Sequence, residues 1–117
     1  MTASDITRLH KTARMSKIVM HGDMIYLCGQ VGSGDDIKSQ TADMLSRVDT
    51  LLAEAGSNKS RILSATIWIS TMENFAAMNE VYEAWIDPEN PPARACGEVK
   101  LAREALLVEI IITATKA

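Results

Sequence analysis

Along the chain the spacing of apolar and polar positions changes several times, and each change predicts an element. Residues 5–11 (Asp5, Ile6, Thr7, Arg8, Leu9, His10, Lys11) alternate as a half-buried strand does. The runs "KIVMH" (17–21) and "MIYLCGQ" (24–30) flank Gly22 and Asp23, which predicts a hairpin joined by a Gly-containing pair. "GQVGSGDD" follows as a loop whose glycines allow backbone conformations closed to other residues. The period then becomes helical. Ile37, Met44, Leu45, Val48, Leu51, Leu52 and Ala55 share one face, predicting a helix over 37–55 with Asp36 as its cap and Gly56 at its end.

Alternation returns in "RILSATIWIS", where Leu63, Ala65, Ile67 and Ile69 are expected on one face. A second helix over 72–86 places Phe75, Met78, Tyr82 and Trp85 on one stripe. Asp87-Pro88 stops it, and Pro91-Pro92 keeps the next segment extended. The final segments, 93–101 and 105–115, predict two strands. The order β-β-β-α-β-α-β-β implies an α+β domain over residues 1–117, with two helices packed on one face of a mixed β-sheet.

The last two strands raise a problem of burial. In 93–101, Ala93, Ala95, Gly97, Val99 and Leu101 fall on one side, small enough to let a helix approach, and Arg94, Cys96, Glu98 and Lys100 on the other. In 105–115, Leu106, Val108, Ile110, Ile112 and Ala114 oppose Leu107, Glu109, Ile111, Thr113 and Thr115. A sheet with helices on one side and this many apolar residues on its second side implies cover by another subunit. Arg94 and Glu109 stand out because an unpaired charge among aliphatic residues costs several kcal/mol. Spacing alone favours a buried ion pair at a subunit interface.

Composition narrows the function. The chain of 117 residues is 47% hydrophobic and carries a net charge of −3, and no apolar run approaches the roughly 18 residues of a membrane span. The N-terminal "MTASDITRLHK" lacks an apolar signal-peptide region. Basic residues form no dense block and aromatics are 4%, which is unlike a nucleic-acid binder. A cytoplasmic small-molecule or protein-interaction role remains. Cys28 and Cys96 lie in no CxxC pattern, and His10 and His21 lack metal-ligand spacing, so neither a disulfide framework nor a metal is expected.

Four motifs in order bring a resemblance. "PPARACGEVKL" with "VEIIITA" resembles the C-terminal signature of the RidA/YjgF (reactive intermediate, or imine, deaminase) family. "MIYLCGQVG" looks like its Ser/Cys-Gly-Gln strand. "LLAEAGSNKSRILSATIWIS" resembles its helix-to-strand passage, and "MENFAAMNEVYEAW" its Asn-containing second helix. The resemblance implies a chorismate-mutase-like fold, a homotrimer with ligand sites between subunits, and no cofactor. It also implies hydrolysis of 2-enamine and 2-imino acids, such as 2-aminoacrylate, to 2-keto acids and ammonia, as a 2-iminobutanoate/2-iminopropanoate deaminase does.

Residue by residue, the resemblance implies that Arg94 grips the substrate carboxylate and Glu109 positions water. Cys28, Gly29 and Cys96 would line the pocket, with Phe75 and Asn79 offered by the neighbouring subunit. Archetypal members carry a tyrosine near the N-terminus where Met15 stands here, which bears on the subgroup and its substrates. Two function classes follow: an imine deaminase, or a trimer that binds a 2-keto acid without turning it over. Some relatives are assigned ribonuclease or translation-inhibiting activity, against which the acidic pI of about 5.3 counts here.

Overall fold

A computed structural model describes residues 5–117; the first four residues of the polar N-terminal segment lie outside the described residues. The elements are β1 (Ile6–Lys11), β2 (Ser16–His21), β3 (Met24–Leu27), α1 (Ile37–Glu54), β4 (Ile62–Ile69), α2 (Phe75–Trp85), β5 (Ala93–Glu98) and β6 (Val108–Thr115). This is the order read from the pattern. The strands form one six-stranded sheet in the order β1-β2-β3-β6-β4-β5. Only β4 and β5 run parallel, and α2 lies in the connection between them. No helix among the described residues is long and apolar enough to cross a membrane.

Local chemistry fixes the element ends. The Asp36 carboxylate accepts the Ser39 N–H at 2.8 Å, and Ser39 Oγ accepts the Asp36 N–H, a reciprocal cap that satisfies exposed donors at the start of α1. Gly22 takes φ +60, the left-handed backbone that lets β2 turn tightly into β3. The second helix begins as a 3₁₀ turn, Met72–Asn74, before α2 proper, with Thr71 accepting the Glu73 N–H at 3.3 Å.

The core lies between one sheet face and the helices. Ile18, Ile25, Ile67, Ile69, Val108, Ile110 and Ile112 meet Met44, Leu45, Val48 and Leu52 of α1 and Met78 and Tyr82 of α2, all of them buried. Polar contacts join the helix layer. Lys38 pairs with Glu80 at 3.1 Å, and Trp85 Nε1 donates to Asp49 at 2.9 Å. Both contacts run between α1 and α2.

Three expectations need correction. Leu63 is 46% exposed, and Ile62 is buried in its place. The β4–β6 register slips by one residue between Ile62 and Ser64, a bulge that moves Leu63 off the core face. The expected half-burial of β1 is not reached, since it is an edge strand in which only Leu9 is partly covered. Finally, the faces of β5 are the reverse of those assigned. Parallel pairing sets Arg94 beside Ala65 and Cys96 beside Ile67, both core residues, so Arg94 and Cys96 lie on the helix side. The small face of Ala93, Ala95 and Gly97 lies on the side away from the helices.

The last predicted strands also shorten. Residues 99–107 connect β5 to β6, with Leu106 buried. Gln40 of α1 anchors this connection: its amide donates to Ala105 O at 2.9 Å and accepts the Leu107 N–H at 2.9 Å. Two residues further on stands Glu109.

Candidate functional site

Arg94 leaves β5 on the helix side, and α2 supplies its surroundings. Its Nη1 donates to Asn79 Oδ1 at 2.7 Å, and its Cζ lies 4.9 Å from the centre of the Tyr82 ring. Asn79 and Tyr82 are three apart on α2 and so share a face. Among the described residues no other side chain or carbonyl accepts from the guanidinium, and its Nε and Nη2 are unclaimed. Arg94 itself is exposed, whereas Tyr82 is 5% exposed. Asn79 was expected from a neighbouring subunit; it meets Arg94 within one chain. Phe75, at the start of α2, packs against the core.

Cys96 is half-buried on the same side as Arg94. Burial pushes its thiol up, and the charge of Arg94 pulls the other way. Burial likewise raises the Tyr82 phenol against the pull of Arg94.

Glu109 stands on the opposite face of the sheet. Its Cα partner is Trp68, while its neighbours Val108 and Ile110 point into the core. Gly29 lies directly against it: a Cβ there would collide with the Glu109 carboxylate, 3.1 Å from the carboxyl carbon. Glycine is therefore the residue that lets Glu109 fold against the backbone. The β3–β6 pairing slips by one residue between Tyr26 and the Gln30–Ile110 bridge, and Cys28 and Gly29 sit in that irregularity. Gln30 Nε2 turns back to Cys28 Sγ at 3.1 Å. Burial raises the Cys28 thiol, while Lys17 and the Gln30 hydrogen bond oppose the shift.

The candidate residues thus form two groups. Arg94, Asn79, Tyr82 and Cys96 lie on the helix side of β5; Glu109, Gly29 and Cys28 lie together at β6 and the end of β3. No ion pair or hydrogen bond joins Arg94 to Glu109 among the described residues, so the buried pair that spacing favoured does not form within the chain. Two surface concavities are lined by neither residue. One of about 660 Å³ is bounded by Ser70, Glu98 and the 99–106 connection, and one of about 360 Å³ by His10, Lys17 and α1. Met15, at the tyrosine's place, is 44% exposed in the β1–β2 turn. No three His, Cys, Asp or Glu side chains converge as a metal site among the described residues.

The sequence pattern places Tyr82 on the stripe of the second helix and gives no site role to it, to Gln30 or to Trp68. The i, i+3 spacing of Asn79 and Tyr82 was the available signal for the first. For Gln30 it was adjacency to Cys28 and Gly29. Trp68 carried none, because its place opposite Glu109 depends on strand register.

The architecture is that of the YjgF fold. A crystal structure of NMB1025 from Neisseria meningitidis, a member of the YjgF protein family, superposes with a TM-score of 0.95 at 43% identity, covering 97% of this chain and 96% of that one. Residues 5–116 match the family model described as Endoribonuclease L-PSP, and the chain belongs to that family, within the YjgF/RidA superfamily. A RutC family protein of Haemophilus influenzae is 40% identical over 113 residues, spanning 94% of this chain and 97% of the relative. The RutC family protein YoaB of Escherichia coli is 38% identical over 110 residues, spanning 93% and 96%.

Proposed function

We propose that the protein hydrolyses reactive 2-enamine and 2-imino acids of the 2-aminoacrylate type to 2-keto acids and ammonia. The site would be shared between chains of a homotrimer, Arg94 of one protomer facing Glu109 of the next. The observation that carries this reading is the Arg94 guanidinium, held by Asn79 through Nη1 with its Nε and Nη2 donors free. A planar fork fixed at one corner and open along one edge suits bidentate capture of a carboxylate, a geometry lysine cannot copy.

The chemistry asks little more. An enamine takes a proton at C3 and becomes the imine. Water adds to C2, and the resulting carbinolamine expels ammonia as the carbonyl forms. Glu109, kept against the backbone by Gly29, would orient the attacking water and accept its proton. Such acid–base help is typically worth about 10²–10⁴-fold, enough for a substrate that already hydrolyses unaided. The placement of Arg94 and Glu109 on opposite sheet faces supports a site completed by a second copy.

The test is keto-acid and ammonia release from an enamine generated in situ. Acceleration by the wild type and its loss in Arg94→Ala are expected. Mixing Arg94→Ala with Glu109→Ala protein, unfolded and reassembled together, should restore part of the activity, because some shared sites regain both groups. Absence of any rescue from two variants that each assemble would refute the shared site. Saturable binding of a 2-keto acid with no acceleration would favour the non-catalytic binder. The family model's description names an endoribonuclease, but the net charge of −3 offers no broad positive field for RNA.

A further inference from the structure

Arg94 is supported from below as well as from the side. The ring of Tyr82 presents its π-system 4.9 Å from the guanidinium carbon, and Asn79 Oδ1, one turn earlier on α2, accepts a hydrogen bond from Nη1. Tyr82 is almost wholly buried. Trp85 stands behind it, ring centres 6.0 Å apart and tilted by 53°, and Trp85 is tied in turn to Asp49 of α1. A cation over an aromatic face is attracted to it, more strongly where water is excluded. A guanidinium is also more weakly hydrated than an ammonium, so it stacks on aromatic faces at a smaller desolvation cost.

We propose that Tyr82 is a positioning residue. Its ring fixes the plane of the Arg94 guanidinium while Asn79 fixes the rotation within that plane, so that the Nε–Nη2 edge is presented to a substrate carboxylate. The inference rests on Arg94 being the carboxylate grip proposed above, and it names the edge that grips. Tyr82 touches neither substrate nor reacting atoms; it acts through Arg94. Because the carboxylate is held alike in the ground state and the transition state, loss of this support raises KM and leaves kcat nearly unchanged. The phenol oxygen has no part, so phenylalanine substitutes for tyrosine.

The experiment has two arms. In ¹⁵N spectra of the wild type, the Arg94 Nε–H signal, assigned by its loss in Arg94→Lys, should be displaced by the Tyr82 ring current. The displacement should persist in Tyr82→Phe and vanish in Tyr82→Leu. An undisplaced wild-type signal would overturn the proposal without any variant needing to fold and without any ligand. In the second arm, pyruvate binding is measured by calorimetry and imine turnover by keto-acid release. Tyr82→Leu should weaken binding and raise KM about 2- to 30-fold, the span expected for one cation–π contact. Tyr82→Phe should stay within about twofold of wild type, well inside that span.

On an Arg94→Ala background, Tyr82→Leu should add nothing to the binding loss, although any loss of thermal stability would remain. A general structural role would add to both, and equal defects in the Phe and Leu variants would also refute the assignment. Should the wild type neither bind pyruvate nor turn over imine, the catalytic reading fails, while the spectral arm still decides whether Tyr82 orders Arg94.

Discussion

Replacing Gln40 with leucine tests how the connection that leads into Glu109 is held. Gln40 is 4% exposed; its Nε2 donates to the Gly34 and Ala105 carbonyls at 3.1 and 2.9 Å, and its Oε1 accepts the Leu107 N–H at 2.9 Å. Leucine fills nearly the same space, so the change removes hydrogen bonds and opens little cavity. Gly34 and Ala105 are exposed, so water can replace the amide, at about 0.5–1 kcal/mol for each bond lost. The Leu107 N–H is half-buried, and orphaning it costs about 1–3 kcal/mol. Added apolar burial returns about 1 kcal/mol. The net expectation is a loss of about 2 kcal/mol, within limits of about 1–4. Urea unfolding at matched protein concentration should show a lower midpoint with an unchanged slope. Hydrogen exchange at the Leu107 amide should speed up. An unchanged midpoint together with undiminished Leu107 protection would refute the reasoning.

Two further outcomes follow from the site. Gly29→Ala introduces no φ penalty, but its Cβ must displace the Glu109 carboxylate. Turnover should fall about 10- to 100-fold, as for misplacement of a reacting group by about 1 Å, while thermal stability changes little; full activity would mean that the tucked Glu109 is not the working one. The thiols of Cys28 and Cys96 are both raised by burial, so the folded chain keeps these protons to higher pH than the unfolded chain. Their stabilising contribution is therefore complete below the ordinary thiol pKa of about 8.5 and is lost as pH rises through the raised folded values. Iodoacetamide should label both cysteines more slowly in the native protein than in urea at that pH, and equal rates would contradict the shift.

The fold was legible because its signals are local. The α1 stripe from Ile37 to Leu52, the Asp36 cap, the turn at Gly22 and the Pro-rich stop after α2 each depend on neighbours a few residues apart. What escaped depends on pairing. Leu63 fits the alternation of its strand, and only the bulge opposite Ala114 and Thr113 turns it outward. Gln40 is a polar residue on the buried stripe of α1, between Ile37 and Met44, and its partners are 65 and 67 residues away. The side of Arg94 was misjudged for a related reason. Small residues at Ala93, Ala95 and Gly97 resemble a surface made for a helix, but the parallel register with Ala65 and Ile67 turns the other face inward. The identity of Arg94 and Glu109 as candidates came from motif resemblance, whereas their separation could come only from strand order.

That separation changes what the two charges mean. Had Arg94 and Glu109 met within one chain, mutual neutralisation would account for both, and neither would need a ligand. Instead each has its own surroundings within the chain: Arg94 meets Asn79 and Tyr82 on the helix side, and Glu109 lies against Gly29 on the far side. Neither arrangement neutralises the charged group it surrounds. Asn79 and Tyr82 bring no formal charge to Arg94 at neutral pH, and Gly29 brings none to Glu109. On the function proposed above, the two charges, uncancelled within the chain, each await a ligand. An anion for Arg94 and a water for Glu109 satisfy both demands at once, and a second copy of the chain is what could place them within reach of the same molecule.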